Sequence, residues 1–152
     1  MTAAEPSQYR RRLRVCVDAD VLFAGAASII GASHVVLQLG ELGIVEVGLP
    51  EKPRIEAERN LAVKLPAALP AFRTLVDACC LALPMAPEAT SVELADAGEA
   101  DPKDAPILAA ALEANCRWLL TFNLRDYGTT RLRVSEPGPF LEELRQELLA
   151  LG

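Results

Sequence analysis

The chain has 152 residues, 51% of them apolar, and a mean hydropathy of +0.22; these values exclude a disordered chain and suffice for one sizeable buried core. Its formal charge of −6 and isoelectric point near 4.8 argue against a protein that coats nucleic acid by charge alone. An acidic nuclease stays within bounds, because ions held by clustered carboxylates reverse the local field that a phosphate meets.

The charge is uneven along the chain. Residues 10–14 read Arg-Arg-Arg-Leu-Arg, whereas Glu88 to Asp104 carry six acids and one lysine. Residues 1–12 are expected to form a flexible basic segment ahead of a single domain over 13–152. Leu13-Arg14-Val15-Cys16-Val17 reads as a first strand buried on both faces and ending at Asp18. Residues 21–39 contain no Asp, Glu, Lys or Arg and follow the basic start, which imitates a signal anchor. Their Gly, Ala and Ser content, with His34 and Gln38 inside and Asp18 and Asp20 in front, favours a buried loop followed by a helix. That helix is expected from about Gly31 or Ala32 to Leu42, closed by Gly43, and no membrane span is expected.

Ile44 to Val47 reads as a second strand stopped by Gly48 and Pro50, and a helix follows from Pro53 to about Lys64. Pro66 and Pro70 punctuate a further helix running toward Leu83, after which the acidic stretch reads as a loop. An Ala-rich helix is expected from about Ala105 to Ala114. Starting it at Asp104 puts Pro106 in the first turn, where its missing N–H costs nothing. Cys116 to Phe122 reads as a strand ending at Asn123. A short strand at Leu132 to Val134 and an amphipathic helix after the Pro-Gly-Pro turn close the chain. Strands alternating with helices imply an α/β fold with a mainly parallel sheet, in which ligands bind beyond the carboxyl ends of the strands. The four cysteines, Cys16, Cys79, Cys80 and Cys116, lack metal or disulfide spacing and read as the reduced thiols of a cytoplasmic protein.

Asp18, Asn123 and Asp126 all fall just past expected strand ends, which favours function over turn-shaping for each. In an extended D-A-D, Asp18 and Asp20 would face the same cleft, although capping the following helix is an equal reading for Asp20. Asp104 divides evenly between helix cap and functional carboxylate. On the helix of R-I-E-A-E-R-N-L, a count of about 100° per residue sets Glu58 among Ile55, Leu61, Ala62 and Leu65, and Glu56 on the polar side with Asn60. Converging acids with no supporting Ser, Cys or His point to hard cations such as Mg²⁺ or Mn²⁺, which take oxygen ligands and activate water. His34 stands alone in an apolar helix and is given no role.

The chain resembles the PIN-domain family in V-D-A-D-V-L-F (17–23), I-E-A-E-R-N-L (55–61), D-P-K-D-A-P-I-L-A-A-A-L (101–112) and L-L-T-F-N-L-R-D-Y (119–127). Four short motifs in order over nearly the whole chain from Arg14 are more specific than any one alone. The resemblance implies a three-layer α/β/α sandwich and a Mg²⁺- or Mn²⁺-dependent endoribonuclease acting on RNA. It implies catalytic Asp18, Glu56, Asp104 and Asp126, with Asp18, Asp104 and Asp126 holding metal; it thus selects Glu56 where the face count selects Glu58. Asp20, where the family usually carries Asn, and Asn123 are supporting residues. It also implies a toxin silenced by an antitoxin segment, and a homodimer. Basic contacts to RNA are expected from Arg14 and Arg125, with Arg10–Arg12, Arg131 and Arg133 as further candidates. Two alternatives stand beside this reading: a non-catalytic PIN-like binding module, and a haloacid-dehalogenase-type phosphohydrolase suggested by D-A-D after a first strand. Lys64 and Lys103 are poorly placed in sequence for the latter.

Overall fold

A computed structural model describes residues 13–152; the basic segment expected over 1–12, with Arg10–Arg12, lies outside the described residues. Val15, Cys16 and Val17 have no solvent exposure, as expected of a strand with neighbours on both edges and layers on both faces. This strand, β1 (Leu13–Val17), pairs in parallel with β2 (Val45–Pro50), Val15 beside Val47, and with β4 (Trp118–Leu120), Val17 beside Leu120. β3 (Cys80–Leu83) lies outside β2 and β5 (Arg133–Ser135) outside β4, giving a parallel sheet of order β3-β2-β1-β4-β5.

Side chains alternate between the faces of each strand. Val15, Val17, Trp118 and Leu120 enter one core, shared with α1 (Ala19–Ala27), α2 (Ala32–Glu41), α3 (Glu51–Lys64), α4 (Leu69–Cys79) and α7 (Pro137–Ala150). Cys16 and Leu119 enter the other, filled from α5 (Glu88–Asp96) and the Ala-rich α6 (Ala105–Glu113). The result is a three-layer α/β/α sandwich. Phe140 of α7 anchors the first layer, its ring edge-on to Trp118 at 5.0 Å. All four cysteines are unpaired.

Four expectations about elements are corrected. The apolar stretch 21–39 is two helices rather than loop and helix: α1 and α2 meet at a 91° bend, and among the described residues no single helix is long and apolar enough to cross a membrane. β2 does not stop at Gly48; a Cβ there would come within 2.7 Å of the Leu83 side chain, so close packing sets this glycine. The helix expected to reach Leu83 ends at Cys79, and the chain turns straight into β3 with no Gly or Pro to mark the change. The acidic stretch is not all loop, since α5 occupies Glu88–Asp96; it buries only Leu94, too little for an apolar stripe to be legible.

Candidate active site

From β1 the chain builds β2 and β3 on one side of the sheet, then crosses to build β4 and β5 on the other. At the carboxyl ends of β1 and β4 the connections part in opposite directions, which opens a crevice in such sheets. Here it is a cleft of about 430 Å³, walled by Asp18 and Asp20 from α1, Glu56 from α3, Asp104 from the start of α6, and Asn123 and Asp126 from the loop after β4. Residues separated by more than 100 positions in sequence therefore meet at one sheet edge.

Asp18 directly follows β1 and occupies the N-cap position of α1, its Oδ1 accepting from the Ala19 N–H at 2.7 Å. Its Oδ2 accepts from the buried Thr121 hydroxyl at 3.3 Å. Burial pushes the Asp18 carboxyl up to about 6, aided by the charges of Asp20 and Glu56, against hydrogen bonds from Ala19 and Thr121 that favour ionisation. The expectation that Asp18 and Asp20 share an extended segment is corrected: Asp20 lies in the first turn of α1. Its Oδ2 accepts from the Phe122 N–H at 2.9 Å and from Asn123 Nδ2 at 3.2 Å, tying α1 to the loop after β4. Burial again raises this carboxyl above its ordinary value.

Asp104 stands at the N-cap position of α6 but its backbone is already helical and its side chain makes no capping hydrogen bond. The Asp101 carbonyl receives the Asp104 and Ala105 N–H groups instead. Asp104 Oδ2 is buried without any hydrogen-bond partner. Burial, then the nearby charges of Asp18 and Asp126, raise this carboxyl to about 6, while Lys103 opposes the rise. Asp126 lies in a 3-10 turn (Leu124–Asp126) and is held by the Asp101 N–H donating to its carbonyl at 2.7 Å. Lys103 Nζ lies 3.7 Å from Asp126 Oδ2.

The structure separates the two glutamates of α3. Glu56 lines the cleft. Glu58 lies outside it, in ion pairs with Arg54 at 3.2 Å and Arg73 at 3.0 Å. The buried stripe of this helix is Pro53, Ala57 and Leu61. The face count rightly makes Glu58 more buried than Glu56, but Ile55 and Ala62 are exposed and Glu58 is spent on its ion pairs, so burial did not mark the acid that lines the cleft. Arg14 is not brought to the site: at the opposite end of β1, its Nη1 donates to the Ala114 carbonyl at 2.7 Å and its Nη2 pairs with Glu46 at 3.2 Å. Arg125 is exposed beside Asp126 but does not line the cleft. Sequence reasoning passed over Thr121, Phe23, Lys52 and Asn60, and dismissed Lys64 and Lys103. Thr121 holds Asp18; the other five line the cleft. The i, i+4 spacing of Lys52, Glu56, Asn60 and Lys64 would have placed that whole face of α3 together.

The donor set is hard oxygen throughout, and the unpartnered Asp104 Oδ2 beside two further carboxylates suits a divalent cation of the Mg²⁺ or Mn²⁺ kind. Among the described residues no three acids are already gathered closely enough to clasp an ion.

This parallel-sheet sandwich, with acids at its topological switch point, defines a class of α/β proteins by architecture. The family model of the PIN domain matches residues 14–125, most of the chain, and the protein belongs to the PIN-domain family. No curated protein sequence matches. Among solved structures, PAE2754 from Pyrobaculum aerophilum is similar with a TM-score of 0.66 at 18% identity, over 88% of this chain and 96% of that one. A chain of VapBC2 from Rickettsia felis, solved bound to a DNA fragment from their promoter, is similar with a TM-score of 0.61 at 12% identity, over 82% and 98%. Membership of this family removes the haloacid-dehalogenase alternative.

Proposed function

We propose that the protein is a Mg²⁺- or Mn²⁺-dependent endoribonuclease. The observation that carries this reading is the convergence of Asp18, Glu56, Asp104 and Asp126, from four separate stretches of sequence, on one cleft. Asp18, Asp104 and Asp126 are the residues to hold the metal, which when bound polarises a phosphoryl oxygen and lowers the pKa of water. Thr121 fixes the orientation of Asp18 through its hydroxyl. The Asp20–Asn123 hydrogen bond holds the loop after β4 against α1 and so keeps Asp126 at the cleft. Glu56, on the solvent-open wall formed by α3, is the carboxylate to take the proton from the water that attacks phosphorus.

Asp104→Asn preserves the shape of the side chain and removes its charge. The variant is expected to lose RNA cleavage by at least about 100-fold, with the fold intact by circular dichroism, and EDTA is expected to abolish wild-type cleavage. Cleavage that survives both treatments would overturn the proposal. The likeness to a VapBC2 chain supports a toxin held silent by a partner segment; co-purification with the product of a neighbouring small reading frame, and its absence, decide that point.

A further inference from the structure

All three lysines of the chain, Lys52, Lys64 and Lys103, line the cleft together with five carboxylates, Asp18, Asp20, Glu56, Asp104 and Asp126. Fully ionised, that lining carries five negative and three positive charges, and so a net charge of −2. The three lysines are not equivalent. Lys64 stands at one end, its ammonium 5.9 Å from the centre of the Phe23 ring. Lys103 reaches the acids. Its Nζ lies 3.7 Å from Asp126 Oδ2, and its charge opposes the rise that burial and the neighbouring acids impose on the Asp104 carboxyl.

The backbone that delivers this ammonium is braced from both sides. The Lys103 N–H donates to Asp101 Oδ1 at 3.0 Å, and the Asp101 N–H donates in turn to the Asp126 carbonyl at 2.7 Å. From across the cleft, Lys52 Nζ donates to the Lys103 carbonyl. The Lys103 side chain is itself exposed, but this tether keeps a positive charge at high local concentration beside Asp126. Asp20, for its part, is already engaged within the protein. Its Oδ1 accepts from the Val21 N–H at 2.7 Å, and its Oδ2 from Phe122 and Asn123. Two-ion sites hold their cations about 3.5–4 Å apart, so both draw on one cluster of carboxylates. A second divalent ion beside Asp126 would meet a tethered charge of its own sign, whereas one such ion balances the −2 of the lining.

We propose that the Lys103 ammonium stands in the place of a second metal ion, so that the cleft of the free protein takes a single divalent cation. An ammonium is a compact charge that offers donors and no acceptor. It therefore neutralises a carboxylate without supplying the oxygen ligands that a second ion would need. The proposal rests on the metal-dependent reading above and adds to it what sets the number of ions.

The test counts ions and needs no substrate. The full chain, stripped of metal with EDTA and dialysed, is titrated with Mn²⁺ near neutral pH by calorimetry, and the free ion is followed by electron paramagnetic resonance as an independent count. Wild type is expected to bind one Mn²⁺ per chain. Lys103→Met, which removes the charge at nearly constant length, is expected to bind two. Lys103→Arg keeps a positive charge and is expected to bind one, as is Arg145→Met on the exposed side of α7. Circular dichroism establishes that each variant is folded. Two ions in wild type, or a count that stays at one in folded Lys103→Met, would overturn the proposal and leave the metal-dependent reading standing. Binding of no Mn²⁺ by any of the four proteins would overturn that reading and this proposal with it.

Discussion

Asp18 and Asp104 are carboxyls held above their ordinary pKa, each at about 6, chiefly because burial disfavours the charged form. Each therefore binds its proton more tightly in the folded chain than in the unfolded one. Their favourable contribution is complete below about pH 4 and is lost as the pH rises through about 6. For Asp18 the rise of about two units corresponds to roughly 3 kcal/mol at full ionisation. Metal-free protein is thus expected to lose thermal stability between pH 4 and 7. Asp18→Asn, whose amide oxygen can still accept the Ala19 N–H, should lose less and match wild type at pH 4. Melting curves in EDTA across that range decide this, and parallel profiles for the two proteins would refute it. Thr121→Val has a different expected signature. It deprives Asp18 Oδ2 of a donor and the Asn123 N–H of its 3.0 Å acceptor, at a cost of about 1–3 kcal/mol, readable as a shift in denaturant midpoint. At this scale much of the cleft was legible from residues at strand ends. Asp104 was not, because a helix-opening Asp looks the same in sequence whether it caps or turns into a cleft.

Elements differ in how plainly sequence announces them. β1 is marked by a β-branched run that is buried on both faces, and α6 by alanines buried on most sides, between the sheet and α5. α5 and β3 were missed for opposite reasons. α5 buries almost nothing and so carries no stripe, while β3 prolongs the apolar run of α4 without a breaker. Close approaches between elements are equally hidden until the partners are known. Gly40 in α2 is the sharpest case, since a Cβ would come within 2.4 Å of the Cys79 carbonyl oxygen and 2.8 Å of Val47 Cγ2. Neither a backbone carbonyl nor a β-branched strand residue can withdraw easily. Gly40→Ala is therefore expected to destabilise by about 1–3 kcal/mol, whereas Gly31→Ala, with open space around its Cβ, should change unfolding far less. Equal midpoints for the two variants would show that α2 can slide on the sheet.

The molecule as a whole carries net negative charge and concentrates part of it in one cleft, so a divalent cation should stabilise the fold by relieving the repulsion among its acids. At a hundred times the dissociation constant such binding contributes about 2.7 kcal/mol, a rise of roughly 5–10 °C in Tm for a chain of this size. Mn²⁺ or Mg²⁺ is expected to produce that rise in wild type and not in Asp104→Asn; equal shifts in both would place the ion elsewhere. The order of the strands bears on how the protein comes into being. β1 is the first of the described strands to be made, yet one of its neighbours, β4, follows about a hundred residues later, and Asp126 later still. Pairing across so much chain is slow to form, and a growing polypeptide possesses Asp18 and Glu56 long before it possesses their counterparts. Until the segment after β4 has been made the nascent chain therefore has only part of the acidic cluster, and Asp126 is the last of its members to arrive.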